Sequence, residues 1–334
     1  MPSGFTKRRR RLRRGDWVDV LSAAEIAATL DADGRLDGLP FMPEMAAHCG
    51  RRYRVHRRAD KTCVEGLGLR RLRGTVFLEE LRCDGGGHDG CQRGCMMFWN
   101  EAWLRPAGHY DTIGAGLAKR SAAHAAATSG FPRPLPTRDG DRYICQSTAL
   151  ASATGPLTSW NPAHLVREVI NRELSIRLFL VIIVRALLDK ARASAGLRPL
   201  GALAGTPAPK PRGDLGLTAG DRVRVKPAAE LTIMLDDKGR NRGLTFEPDM
   251  AACIGREYVV AAPIRKIILE QTGRMVELSN TVALDGVVCQ GVCSKNCPRA
   301  NQLFWRESWL TRVDAAASPT KSRPAPALAE AATE

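Results

Sequence analysis

The residues with the clearest chemical potential are cysteines gathered in two short loops. These are Cys83, Cys91 and Cys95 in the first loop and Cys289, Cys293 and Cys297 in the second. In both loops the first thiol precedes a tryptophan by sixteen positions, Trp99 in one and Trp305 in the other. Thiols clustered at short spacings in one loop are typical of metal sites or of redox chemistry.

A further soft ligand lies upstream of each loop. Cys253 precedes the second loop, and His48 and Cys49 precede the first, with His48 at the position that corresponds to Cys253. Four thiolates, or three thiolates and an imidazole, satisfy a tetrahedral structural zinc ion. The spacing therefore predicts two zinc sites. Iron–sulfur clusters, which also take four thiolates, remain the alternative. The predicted ligands are Cys49 or His48 with Cys83, Cys91 and Cys95, and Cys253 with Cys289, Cys293 and Cys297.

Other interpretations of the cysteines are weaker. Cys83 and His88 lie close enough in sequence for a nucleophile and its base. The second loop cannot repeat this arrangement, because the chain has no histidine after His164. A repeated triplet also argues against simple buried thiols, which leaves Cys63 and Cys145 as ordinary cysteines without a partner in the other half. The basic start of the chain has no apolar signal segment, so we predict a reducing cytoplasm.

The elements that position these loops are repeated along the chain. At an offset of 205, GDWVDV matches GDRVRV and GRLDGLPFMPEMAAHCG matches GRNRGLTFEPDMAACIG. After one added residue, FWNEAWL matches FWRESWL. We therefore define module one as residues 15–106 and module two as residues 220–314, and we interpret them as a duplication.

Each module reads as mostly β with a short helical insert. Alternating apolar segments are separated by Gly, Asp and Pro, and Ser22 with Glu25 forms a capping box ahead of a helix. The GDxVxV opening resembles the first strand of SH3-like and KOW-type barrels, which implies two small duplicated barrels.

The complete pattern also resembles a known family. GLPFMPEM, then CG, a cysteine-rich loop and FWxExWL are similar to a bacterial family of duplicated, cysteine-rich proteins. That family has no assigned activity, so the resemblance implies architecture and no mechanism.

Several acidic and aromatic residues recur in both modules. Glu44 pairs with Asp249 and Glu101 with Glu307. A salt bridge or a turn contact is the commonest role for such carboxylates. The tryptophans Trp99, Trp103, Trp305 and Trp309 are predicted to lie in the barrel cores rather than to stack on nucleic acid bases.

The remaining segments divide by composition. They are a basic disordered tail at 1–14, a linker at 107–160, an amphipathic and apolar helix at 161–195, a Pro/Gly linker at 196–219 and a disordered tail at 315–334. The helix contains seven consecutive apolar residues from Leu178 to Val184, flanked by Arg177 and Arg185. Such a run is too short to span a bilayer.

The net charge of +15 is carried mainly by the tail and the central segment. A polybasic tail with a basic amphipathic helix is a two-signal pattern for an anionic membrane surface. Nucleic acid binding is the less favoured alternative, and a solvated tail with a core helix explains the same charges. We predict a non-enzymatic, zinc-binding scaffold or accessory factor with an unknown protein partner. An iron–sulfur or thiol-dependent redox accessory enzyme is the alternative.

Overall fold

The computed structural model describes residues 11–107, 130–157, 163–171, 173–206, 215–292 and 294–313. The predicted tail at 315–334 and most of the basic tail lie outside these residues. Residues 11–14 are described and ordered, because Leu12 packs into the core of module one and its N–H donates to Glu101. The predicted tail therefore ends before residue 11.

Module one is built mainly from strands. They are β1 (Trp17–Val20), β2 (Arg35–Leu36), β3 (Leu39–Pro40), β4 (Arg52–Arg58), β5 (Lys61–Val64), β6 (Gly68–Arg71), β7 (Thr75–Leu78), β8 (Trp99–Asn100) and β9 (Leu104–Pro106). Its helices are α1 (Ala23–Ala27) and α2 (Pro43–Ala46), with a 3-10 turn at Glu101–Trp103. The capping box is confirmed, since Ser22 and Glu25 each accept the other's backbone N–H.

The segment that connects the two modules also packs against module one. Its elements are β10 (Arg138–Asp139), β11 (Arg142–Tyr143), α3 (Gln146–Ala153), β12 (Gly155–Pro156), α4 (Ala163–Ile170) and α5 (Ile176–Ser194). The Gln146 side chain bonds both the N–H and the carbonyl of Phe98 at 2.8 Å, and Leu150 is fully buried. The prediction of a linker at 107–160 is therefore wrong for residues 143–156, where tertiary hydrogen bonds order the chain.

The single helix predicted over 161–195 is interrupted. Residues 161 and 162 lie outside the described residues, α4 ends at Ile170 and α5 starts at Ile176. The hydroxyl of Ser175 accepts the N–H of Leu178 at 3.2 Å and so caps a new helix. None of the described helices is long and apolar enough to cross a membrane.

Module two repeats the strand-rich pattern. Its elements are β13 (Arg222–Val225), α6 (Ala228–Thr232), β14 (Arg240–Asn241), β15 (Leu244–Thr245), β16 (Glu257–Pro263), β17 (Lys266–Ile268), β18 (Met275–Glu277), β19 (Thr281–Val288), β20 (Gln302–Arg306) and β21 (Leu310–Arg312), with 3-10 turns at Pro248–Cys253 and Glu307–Trp309. The class prediction, mostly β with helical inserts, is confirmed.

The main sheets of the two modules have the same topology. The orders are β8-β7-β4-β1-β9 and β20-β19-β16-β13-β21, with antiparallel neighbours throughout. Their registers also correspond: Val18 faces Tyr53 in one sheet, and Val223 faces Tyr258 in the other. These pairs keep the offset of 205. The closure of each sheet into an SH3-like barrel stays a prediction.

Each module has its own apolar core around a pair of tryptophans. Trp99 and Trp103 pack edge-on to Phe41, and Trp305 and Trp309 pack edge-on to Phe246. All four indoles are fully buried. The prediction that they are core residues is therefore confirmed.

The hairpin of each module docks on the cysteine loop of the other. The β17–β18 hairpin meets the first loop, where the N–H of Gln92 donates to the carbonyl of Lys266 at 3.0 Å. The β5–β6 hairpin meets the second loop, where Lys61 Nζ donates to the carbonyl of Lys295 at 2.8 Å. Lys61 and Lys266 are equivalent at the offset of 205. This exchange places residues of both modules at each loop.

Candidate metal centre

The first cysteine loop is closed by its own backbone. Gly85 adopts φ +74°, and its carbonyl accepts the N–H groups of His88 and Gly90 at 3.0 and 2.9 Å. A Cβ at Gly85 would lie 2.1 Å from the carbonyl oxygen of Cys91, so only glycine fits this approach. The N–H of Cys83 donates to the carbonyl of Cys95 at 2.8 Å. These bonds fold the loop so that its thiols turn toward one side.

A small buried cavity of about 30 Å³ lies on that side of the loop. Its lining includes four cysteines: Cys83, Cys91, Cys95 and Cys145. The fourth comes from the connecting segment, where Cys145 is the residue that precedes α3. Four thiols from two separate chain segments therefore line one cavity, although no three of their sulfurs lie within 4.8 Å of one another. Four thiolates are the ligand types of a closed structural metal site.

Two arginines accompany the thiols in the cavity lining. Arg93 and Arg299 also line it, and Arg299 is 5% exposed. Arg299 forms an ion pair with the buried Glu270 at 2.7 Å and donates to the hydroxyl of Ser147 at 2.8 Å. Guanidinium groups next to the sulfurs favour the thiolate form that a metal requires.

Without a cation, burial favours the protonated form of Cys83, Cys91 and Cys145. Burial raises the pKa of Cys83 and of Cys91, and the charge of Glu44 adds to the shift at Cys83. Burial also raises the pKa of Cys145 to about 11. A metal would therefore bind here by displacing thiol protons, and its affinity would fall at low pH.

Glu44 holds the first cysteine loop in place through hydrogen bonds to several of its residues. Its Oε1 atom accepts His88 Nδ1 at 2.6 Å and the N–H of Gly87 at 3.1 Å, and it lies 3.6 Å from Cys83 Sγ. Burial acts to raise the pKa of Glu44, but the hydrogen bond and charge of His88 outweigh it and the pKa is lowered. Burial likewise acts to lower the pKa of His88, and Glu44 raises it. The two side chains form a buried ion pair.

Glu44, Cys83 and His88 also present ligand atoms within 4.8 Å of one another. His88 is fully engaged, since Nδ1 bonds Glu44 and Nε2 bonds the carbonyl of Ile144 at 2.8 Å. It therefore offers neither a ring nitrogen for a metal nor a free base for Cys83. This group holds the loop in place, and the thiols are the available donors.

The second loop has a thiol cluster of its own. Cys297 Sγ accepts the N–H of Cys63 at 3.1 Å. Hydrogen bonding by the adjacent Cys63 thiol lowers the pKa of Cys297 in spite of burial. Cys289 lies close enough to raise the pKa of Cys63, although the bond to Cys297 and burial contribute more. Cys293 lies outside the described residues.

The second loop also repeats the carboxylate contact of the first. Cys289 Sγ lies 3.1 Å from Asp249 Oδ2, as Cys83 lies near Glu44. Arg299 Nη1 donates to the carbonyl of Cys63 at 2.9 Å, and Arg93 Nη1 donates to the carbonyl of Ile268 at the same distance.

The predicted upstream ligands lie elsewhere. His48 Nδ1 bonds the Tyr53 hydroxyl at 2.6 Å, and its ring packs against Trp99. Cys253 is 6% exposed within the core of module two, and Cys49 packs against the core of module one. The cavity lining includes none of the three. His48 and Cys49 lie in the turn before β4, and Cys253 lies in the turn before β16. At these positions they pack toward the sheets, away from the loops.

Sequence reasoning overlooked Cys145 and Cys63, which the structure brings to the two loops. Neither has a cysteine at the corresponding position of the other module; Cys63 corresponds to Ile268. The ligand prediction relied on cysteines that recur in both modules, and it therefore left out Cys63 and Cys145. All nine described cysteines are free thiols.

The recurring glutamates have structural roles. Glu101 accepts the N–H of Leu12 and pairs with Arg58 at 2.6 Å. Glu307 accepts the N–H groups of Leu215 and Gly216. Each carboxylate fastens the segment that enters its module. The ion pair of Glu101 with Arg58 agrees with the salt-bridge role predicted for these residues.

Comparison with known proteins finds no matching family model, no similar curated protein and no similar solved structure. The function must therefore be argued from the site.

Proposed function

We propose that this chain is a non-enzymatic, two-module metal-binding protein. The observation that carries the proposal is the single buried cavity lined by Cys83, Cys91, Cys95 and Cys145. A bound ion would replace four thiol protons and tie α3 to the cysteine loop. Structural metal sites contribute directly to folding free energy, so the proposed role is to stabilise the loop as part of a scaffold.

Zinc is the metal we propose. A cavity of about 30 Å³ suits a single ion. One feature favours an iron–sulfur cluster instead: no three of the four sulfurs lie within 4.8 Å of one another. Tetrahedral zinc with bonds of about 2.3 Å needs sulfurs about 3.8 Å apart, whereas a cluster places irons and sulfides between them. Zinc therefore requires the four side chains to close on the ion.

A second centre is proposed at the other loop, with Cys63, Cys289 and Cys297 as ligands. Cys63 belongs to module one, and its backbone and thiol already bond Cys297. A metal at this position would link the two modules through the exchanged hairpin.

A purified full-length chain should contain about two zinc ions, measured by mass spectrometry of the acid-digested protein. Cys145→Ser and Cys63→Ser should each retain about one ion, and the double variant about none. Thermal stability should fall with each loss. Cys49→Ser and Cys253→Ser are matched controls. Cys253 lies in the core of module two, Cys49 packs against the core of module one, and neither lines the cavity, so both should leave the metal content unchanged.

Several results would refute parts of this proposal. Iron with acid-labile sulfide and a brown colour would identify clusters in place of zinc. If Cys253→Ser lost metal while Cys63→Ser kept it, Cys253 would be a ligand of the second site, as the sequence predicted, and Cys63 would not. A chain that folds without metal and takes up none would remove the proposal entirely.

A second candidate function, binding to an anionic membrane surface, is supported by α5. One side of this helix packs inward through Ile182, which is 1% exposed. The other side exposes an apolar surface, formed by Ile176, Leu180, Val181, Val184, Leu187 and Leu188. Four of its residues follow the i, i+4 spacing of one helix face. Apolar faces of this kind, bordered by cations, lie on lipid surfaces.

Flotation with vesicles that contain phosphatidylserine tests this function. The variant Leu180→Ser, Val184→Ser and Leu188→Ser should lose binding, while Ile233→Ser, another exposed apolar residue, should keep it. Equal flotation of the wild type, the triple variant and Ile233→Ser would argue against α5 as the binding surface.

A further inference from the structure

A second, larger cavity lies apart from the first thiol cluster and beside the second, and its lining includes no cysteine. Its volume is about 350 Å³, within the usual range for small-molecule sites. It lies between the strands of module one, α4 and the end of the second cysteine loop, where Asn296 and Pro298 line it. Three chain segments therefore converge on it.

The lining of this basic pocket is dominated by cations. They are Arg11, Arg57, Arg58, Lys61, Arg71, Arg73 and Arg167. The acidic lining residues are Asp60, Glu168 and Glu173. If all of these groups are charged, the pocket carries an excess of four positive charges.

Two of the three carboxylates, Asp60 and Glu168, form ion pairs with cations of the pocket, and Glu173 accepts the backbone N–H of Arg58 at 3.3 Å. Asp60 pairs with Arg58 and with Arg11, both at 2.8 Å. Glu168 pairs with Lys61 at 2.6 Å. These acids therefore neutralise the buried cations and leave the rim uncompensated.

The rim consists of three exposed arginines, Arg71, Arg73 and Arg167. Their side chains form no hydrogen bond or ion pair with any residue that the structure describes. Guanidinium groups are planar forks that bind phosphate oxygens in pairs. A cavity with several such forks at its mouth and no acid to occupy them attracts a compact polyanion.

We propose that the basic pocket binds a small molecule with two or more phosphate groups, with Arg71, Arg73 and Arg167 as the phosphate contacts. A free diphosphate and a nucleoside diphosphate share this chemistry. The lining also contains Leu72 and Leu157, which would contact the nucleoside. This site uses none of the proposed metal ligands.

Module two keeps a lysine at the position of Lys61 but lacks the neighbouring arginines. Arg57 and Arg58 correspond to Ala262 and Pro263 at the offset of 205. Arg71 pairs with Lys61 across its hairpin, and the matching partner of Lys266 is Glu277. The cationic surface is therefore a property of module one and not of the shared fold.

Isothermal titration calorimetry of the full chain with inorganic pyrophosphate and with ADP tests the proposal. The wild type should bind at least one of them, more weakly as salt rises. The triple variant Arg71→Gln, Arg73→Gln and Arg167→Gln should weaken binding about tenfold or more. Tighter binding of ADP would identify a nucleotide, and equal binding a free phosphate compound.

A control with the same charge change replaces three exposed arginines outside the lining, Arg133, Arg265 and Arg274, with glutamine. It should bind within about twofold of the wild type, because distant surface charges are screened. Equal weakening in both triple variants would show a general charge effect and overturn the site. So would binding of a single-stranded oligonucleotide with no binding of either small ligand. Cys145→Ser should bind normally, which separates this result from the metal proposal.

Discussion

The two cysteine loops make the same backbone contacts but receive different residues from their partners. In the first loop, Cys91 Sγ accepts the N–H of Ile268 at 3.3 Å; in the second, Cys297 Sγ accepts the N–H of Cys63 at 3.1 Å. The hairpins are equivalent, yet one brings an isoleucine and the other a thiol. The first loop instead gains its extra thiol from Cys145.

This difference shows that fold and ligand set change separately. Backbone hydrogen bonds position a residue whatever its side chain, so a hairpin can keep its docking while its donor changes. Arg93 and Arg299 preserve that docking in both loops, since each donates to the same carbonyl position. The sites are therefore symmetric in architecture and asymmetric in chemistry.

The largest difference in stability between the two loops is expected from Arg299→Met compared with Arg93→Met. Arg299 is buried with Glu270 at 2.7 Å, whereas Arg93 lies 3.8 Å from the same carboxylate. Removing Arg299 leaves a buried charge without its main partner and should lower the free energy of unfolding by about 3–5 kcal/mol. The Arg93 change should cost about 1 kcal/mol. Urea denaturation measures both, and equal losses would show that the loops are energetically alike.

The next test uses glycines that both loops share. Gly85→Ala and Gly291→Ala should each destabilise the chain, because a Cβ would lie 2.1 and 2.4 Å from the carbonyls of Cys91 and Cys297. We expect crowding to add about 1–3 kcal/mol to the conformational cost.

Gly50→Ala and Gly255→Ala separate the two contributions. They have φ +71° and +75° with no atom within 4 Å of the added Cβ, so they should show the conformational cost of about 1 kcal/mol alone. Thermal unfolding of the four variants provides the measurement. If the loop glycines cost no more than these controls, the close approach within the loops is incorrect.

A smaller difference in stability is expected between variants of Glu44 and Asp249, the carboxylates that bond the first and the second cysteine loop. Glu44→Gln removes a charge from a buried pair with His88, and should cost about 2 kcal/mol. Asp249→Asn affects a half-buried group that bonds Cys289 and the N–H of Gln290, and should cost less than about 1 kcal/mol. Chemical denaturation at neutral pH compares them. A larger loss from Asp249→Asn would reverse the interpretation.

The smallest effect concerns pH, because only the first loop has a histidine in this position. The pKa of His88 is raised above 6.5, so its contribution is complete below that value and is lost as pH rises through the folded pKa. The pKa of Glu44 is lowered below 4.5, so its contribution is lost only at acid pH. The stability difference between the wild type and His88→Gln should therefore shrink from pH 6.5 upward. A difference that grows with pH in urea titrations would contradict the ion pair.

Local patterns predicted much of the fold. The matching openings at Gly15 and Gly220 fixed the register that the two sheets share, and the capping box at Ser22 placed α1 correctly. The tryptophans were assignable to the cores because large aromatic side chains on short strands have few other places to lie. The break between α4 and α5 was missed, because apolar spacing alone does not reveal a serine cap.

The sequence by itself determined that two segments match at a constant offset, that thiols concentrate in two loops, and that glycine allows those loops to close. Only the tertiary structure decided which other residues join them: Cys145 through the packing of α3, and Cys63 through a hairpin that crosses to the other module. It also placed His48 against Tyr53 and Trp99, and Cys253 in the core of module two. The physical reason is the sequence separation of the contacts. Loop closure depends on neighbouring residues, whereas hairpin docking depends on contacts between residues more than 170 positions apart.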